Sequence, residues 1–205
     1  MQRWEGVVFS EGKTMPFIMS KRKDFIMKKQ STIKIMIYAA MFLALAYVIP
    51  FLTGQIPQIG SMLCPMHIPV LLCGFICGWP WGLLVGLFAP ILRSVTLGMP
   101  PLFPTAVCMA FELAAYGAVA GILYKTLPKK KCFIYCALLG AMVIGRIVWG
   151  IMMFICMGIT GGNFGFSAFL AGAITNAIPG IIVQIILIPI LVMVLEKVGN
   201  STDNT

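Results

Sequence analysis

Charge is scarce in this 205-residue chain: 10% of its residues are Asp, Glu, Lys or Arg, against about 25% in a soluble globular domain. Acids are the scarcest, with six Asp and Glu in all, and there is a single histidine, His67. One histidine excludes an HExxH metal site, and one carboxylate inside the apolar runs excludes the paired acids of an intramembrane aspartyl protease. No GxSxG and no Walker A sequence is present, so neither that nucleophile elbow nor P-loop ATP hydrolysis is available. The seven cysteines (Cys64, Cys73, Cys77, Cys108, Cys132, Cys136 and Cys156) fall mostly inside apolar runs. They read as small buried apolar residues rather than as a disulfide framework or a zinc site. No metal, no cofactor and no enzymatic activity is expected.

What the chain has instead is hydrophobicity: 60% of residues are apolar by the AVILMFWYC count, and the mean hydropathy is +0.99. Disorder requires the opposite composition. With about 20 residues needed to cross about 30 Å of hydrocarbon, the length accommodates about six crossings joined by short loops. Six apolar segments are present: Ile33–Leu52, Met66–Gly78, Trp81–Leu97, Thr105–Tyr124, Cys132–Gly158 and Ser167–Leu195. The second is short for a perpendicular crossing and the fifth is long, which implies tilt. The expected fold is an all-α membrane protein, a six-transmembrane-helix bundle, occupying residues 27–199. Residues 1–26 read as a disordered or artefactual leader before Met27-Lys28-Lys29, and 200–205 as a polar tail.

The net charge of +9 is concentrated before the first apolar run, in Lys125–Lys131 and at Lys197. Basic residues flanking apolar segments mark cytoplasmic loops, which places both termini inside and argues against a nucleic-acid partner. The connections Thr53–Pro65, Ser94–Pro104 and Ile159–Phe166 lack Lys and Arg and fall outside. Two of them, TGQIPQIGSMLCP and SVTLGMPPLFP, mix proline, glycine and apolar residues in a way solvated loops do not. They read as ordered lids over the outer end of the bundle. Small residues four apart (Ala40/Ala44, Gly74/Gly78, Gly82/Gly86, Gly117/Gly121) permit close helix contacts.

Ionisable groups within a bilayer cost several kcal/mol (about 2.5–3.5 by insertion scales) and generally mark function. Four stand out here: His67, Arg93, Glu112 and Arg146. The topology puts all of them in the outer half or near the midplane, Arg146 being about 21 Å of helical rise from the cytoplasmic end of its segment. Tyr116 is one turn from Glu112, and Trp149 shares a helix face with Arg146. Gln55 and Asn163 belong to external connections, Asn176 to the outer half of the last segment and Gln184 nearer its middle. Together these describe a lidded pocket for a small organic molecule. The alternatives are a structural Glu112–Arg146 ion pair, an Arg93 that snorkels to the headgroups, and a His67 that merely starts its helix.

The run IPQIGSMLCPMHIPVLLCGFICGWPWGLLVGLFAPILRSVTLGMPPLFPTAVCMAFELAAYGAVAGILY (Ile56–Tyr124) and the closing NAIPGIIVQIILIPILVMVLEK (Asn176–Lys197) resemble the substrate-binding S components of energy-coupling-factor (ECF) vitamin transporters. The PMHIPVLLCG and RSxxxGMPPxFP patterns are most similar to the pantothenate type. The resemblance implies six helices in a bacterial plasma membrane and a vitamin pocket near the outer face, closed by the first and third connecting loops. It also implies an S component that topples in the membrane, a transmembrane coupling protein and two cytoplasmic ATPase subunits as partners. Ala40 and Ala44 match the AxxxA pattern through which such S components dock. Pantothenate carries a carboxylate that Arg93 or Arg146 could bind by charge-assisted hydrogen bonds. Gln55, His67, Glu112, Tyr116, Trp149, Asn163 and Asn176 complete the expected binding set. The competing readings are another micronutrient in the same pocket, or a stand-alone proton-coupled carrier using Glu112. The latter lacks the internal duplication usual in such carriers.

Overall fold

The computed structural model describes residues 14–52, 65–128, 131–161, 165 and 178–202. These form six α-helices: α1 Thr14–Leu52, α2 His67–Cys77, α3 Trp79–Leu97, α4 Val107–Thr126, α5 Lys131–Thr160 and α6 Ile178–Thr202. A short irregular helical turn, Leu102–Ala106, leads into α4. No strand occurs among the described residues. The chain divides into two compact units, Met1–Ile37 and Tyr38–Thr205.

Within the first unit, α1 begins at Thr14, so the leader expected to be disordered is helical over its described part. Its composition permits this, because the Lys, Arg and Met of SKRKDFIMKK are good helix formers. Residues 1–13 lie outside the described residues.

Five helical stretches among the described residues are long and apolar enough to cross a bilayer: Thr32–Phe51, which begins in the first unit, and Trp79–Leu97, Leu102–Thr126, Cys132–Thr160 and Ile178–Leu195 in the second. The 11 residues of α2 rise only about 16 Å, well short of about 30 Å of hydrocarbon. The 30 residues of α5 reach about 45 Å, more than a perpendicular crossing needs. Both departures match the unequal lengths of the apolar runs. Residues 166–177, the start of the sixth expected span, lie outside the described residues.

Helix α4 is the centre of the packing, in contact with α2, α3 and α5, while α6 packs on α2 and α5. Glycine makes the central contacts possible. A Cβ added at Gly82 of α3 would stand 2.7 Å from the Gly117 carbonyl oxygen of α4 and 2.8 Å from Gly74 Cα of α2. The three backbones therefore meet where a side chain cannot fit. Gly78 serves differently: it separates α2 from α3 with φ +89°, a conformation glycine adopts without steric cost.

After α3, Gly98 takes the left-handed conformation (φ 69°) and its N–H donates to the Ser94 carbonyl, closing the helix as C-terminal glycines commonly do. The segment Ser94–Pro104 was expected to bury its apolar residues as a lid. It is ordered, yet Met99, Leu102 and Phe103 are exposed. In a membrane protein such residues need no protein partner when lipid can cover them. The other proposed lid, Thr53–Pro65, is outside the described residues apart from buried Pro65.

Candidate functional site

A single carboxylate ties three helices together. Glu112, in the second turn of α4, is 2% exposed. Its Oε1 lies 3.0 Å from Arg146 Nη1 of α5 and 3.4 Å from His67 Nε2 of α2. Tyr116, one turn further along α4 and on the same face, sets its ring edge-on to the His67 imidazole with centroids 5.1 Å apart.

Local sequence explains each placement. His67 is the first residue of α2, and Pro69 follows in the first turn, where a missing N–H costs the helix nothing. The histidine is thereby held where the chain enters the bundle. Gly145, immediately before Arg146, leaves room for the Tyr116 ring: a Cβ there would sit 2.9 Å from its Cδ2. Trp149, three positions past Arg146, is partly buried.

The electrostatics of this cluster are those of a buried ion pair with an imidazole attached. A charge in an apolar bundle is tolerated when paired and hydrogen-bonded. Arg146 balances Glu112, and His67 Nε2 stands at ion-pair distance from the same carboxylate oxygen. Both ring nitrogens of His67 are buried and have no hydrogen-bond partner among the described residues.

Four of the expected binding residues, His67, Glu112, Tyr116 and Arg146, are thus neighbours. Arg93 is held elsewhere. It is 5% exposed, its Nη1 donates to the Tyr47 carbonyl of α1 at 2.9 Å, and its guanidinium carbon stands 5.0 Å over the Phe51 ring. It does not snorkel away from the protein. Thr96 Oγ1, 3.2 Å from Tyr47 Oη, adds to the same α1–α3 contact. Gln55, Asn163 and Asn176 lie outside the described residues. Ala40 and Ala44 are both exposed on α1, while Ala39, Phe42 and Ala46 turn inward.

Gln184 belongs to the polar residues from which the sequence implies a pocket, though not to the narrower binding set; its side chain is 1% exposed and its Oε1 has no partner among the described residues. Its signal in the sequence was a lone amide at four-residue spacing with Gly180, Ile188 and Val192, which are also buried. Among the described residues no three metal-ligating side chains converge. A separate groove of about 350 Å³ lies among α1, α2 and α6, lined by Met41, Leu45, Ile68, Leu72, Leu187 and other apolar residues. It offers nothing to a polar molecule.

The family model for the ECF transporter substrate-specific component matches residues 34–192, more than three quarters of the chain. The chain belongs to that family. No curated protein and no solved structure matches it. Members of the family are the substrate-specific subunits of ECF importers, which act with coupling and ATPase modules. The chain is accordingly a transport subunit and a multi-pass membrane protein.

Proposed function

We propose that this subunit binds a vitamin or vitamin precursor outside a bacterial cell, with pantothenate as the best fit, and delivers it through an importer energised by separate ATPases. The observation that carries the reading is the Glu112–Arg146–His67 cluster, a costly polar centre kept inside a mostly apolar bundle. Both termini are cytoplasmic in this arrangement, six segments traverse or enter the plasma membrane, and the pocket opens outward under the connecting loops. In this reading Gln55, Asn163 and Asn176, which lie outside the described residues, contribute polar groups to cargo binding, and Tyr116 and Trp149 contribute aromatic surface. Arg93, next to the outer connection, is the cation best placed for a cargo carboxylate, Arg146 being already engaged by Glu112. The exposed Ala40–Ala44 face of α1, beside the apolar groove, is the docking surface for the coupling protein.

The direct experiment is equilibrium binding to the purified full chain. Pantothenate should bind in preference to biotin and riboflavin, and Arg93→Ala or Arg146→Ala should weaken it. Equal affinity for the three vitamins, or unchanged affinity in both variants, would exclude pantothenate as the cargo.

A further inference from the structure

Two buried side chains carry idle polar atoms. Both ring nitrogens of His67 and the Gln184 Oε1 acceptor lack a hydrogen-bond partner among the described residues, and the two side chains are 2% and 1% exposed. An acceptor withdrawn from water without a donor is destabilising, and native proteins retain few such atoms without a reason. Both sit on elements that meet. His67 opens α2, and Gln184 belongs to the buried Gly180–Gln184–Ile188–Val192 strip of α6, which packs on α2 and α5.

The charges nearby are already balanced. Glu112 is shared by Arg146 and His67. A cargo carboxylate brought to Arg146 would set two anions around one cation, where low dielectric leaves their repulsion strong. A neutral hydroxyl or amide, which can donate and accept, meets no such penalty and satisfies the idle atoms.

We infer that Gln184 and His67 form the specificity-determining end of the cargo site, Gln184 Oε1 accepting from a hydroxyl or amide N–H and the imidazole hydrogen-bonding a neighbouring hydroxyl, with any cargo carboxylate turned away from Glu112. This rests on the vitamin-binding reading above and names the orientation and chemistry it requires. For pantothenate, the hydroxyl-bearing end faces α2 and α6 and the acid lies towards Arg93. Gln184 is then a binding residue that the family resemblance alone does not supply.

The test is a cycle crossing one side chain with one ligand group, measured by calorimetry on the purified full chain. The ligands are pantothenate, its analogue lacking one hydroxyl, and the alcohol in which the carboxylate is replaced by CH2OH. Gln184→Met should weaken pantothenate about tenfold or more, the scale of a lost hydrogen bond in a buried site. In that variant, removing the hydroxyl should cost little further, whereas the alcohol should lose the same factor in variant and wild type. A second measurement guards against misfolding: the cargo-free Gln184→Met protein should melt no lower than wild type, since the amide oxygen it removes was unsatisfied. Equal deoxygenation penalties in Gln184→Met and wild type, or a lower melting temperature with unchanged affinity, would overturn the assignment while leaving pantothenate binding intact. Failure of the wild type to bind pantothenate would remove the reading beneath it as well.

Discussion

Glu112 Oε1 stands 3.0 Å from Arg146 Nη1, so α4 and α5 are joined by an ion pair across a mostly apolar interior. Removing Arg146 takes the cation away from a carboxylate that is 2% exposed, at a cost of about 3–5 kcal/mol for a buried pair. Arg146→Met should therefore lower the melting temperature of the detergent-solubilised protein sharply. Replacing both partners, as in Glu112→Leu with Arg146→Met, should recover most of the loss, because buried pairs contribute little net stability over apolar replacements. A double variant as unstable as the sum of the single ones would mean that the two side chains do not act as a pair.

Arg93 is fixed to α1 by a hydrogen bond to the Tyr47 carbonyl and by the Phe51 ring beneath it. A charge-assisted hydrogen bond contributes about 1.5–3 kcal/mol, and a cation–π contact about 0.5–2 kcal/mol. Phe51→Ala should reduce stability in the presence of Arg93 by more than it does in Arg93→Ala, and a thermodynamic cycle measures the difference. Arg93→Lys should recover only part of the loss, because an ammonium lacks the planar fork that reaches the carbonyl and covers the ring together. Identical effects of Phe51→Ala in both backgrounds would show the ring to be a bystander.

The glycines divide into those that permit contact and those that do not. Gly82→Ala places a methyl 2.7 Å from a backbone oxygen, which neither α3 nor α4 can yield without parting. Overpacking of this sort costs about 1–3 kcal/mol. Gly158, within α5, has nothing within 4 Å of an added Cβ. There Gly158→Ala should gain up to about 1 kcal/mol through helix propensity. Thermal unfolding of the two variants in the same detergent gives the comparison, and a stabilised Gly82→Ala would contradict the close approach of the helices.

Much of this could be read from the residues. The bounds of α2 to α5 fall within about two residues of the apolar runs, because glycine, proline and lysine punctuate the sequence where the helices stop. The central cluster was legible because His67, Glu112 and Arg146 are expensive in a bilayer and have to find one another. The anchoring of Arg93 was not legible: its acceptor is a main-chain carbonyl 46 positions away, and every residue has one. The exposure of Met99, Leu102 and Phe103 fits the alternative that such a composition leaves open, insertion at the headgroup level, where lipid covers apolar residues as well as protein does. Gln184 was seen but left aside, since a single amide in an aliphatic helix shows its importance only when its oxygen is found buried without a donor.

Ala40 and Ala44 provide the sharpest separation of cargo binding from transport. Both are exposed on α1, one turn apart, on a face bordered by the exposed side chains of Met41, Leu45 and Val48. Two methyl-sized side chains on such a face let another helix approach closely, as small residues four apart do in membrane contacts. Neither touches the Glu112 cluster in any contact described above, so bulk added there should leave cargo affinity within about twofold of wild type. Ala40→Trp or Ala44→Trp should nonetheless reduce uptake by the assembled importer to near background, because the indole holds the coupling protein away. The two measurements, binding to the purified subunit and uptake in cells with the complete importer, must diverge. Uptake that persists in the double Ala40→Trp, Ala44→Trp variant would move the docking face elsewhere, whereas parallel loss of binding and uptake would show that α1 shapes the cargo site itself.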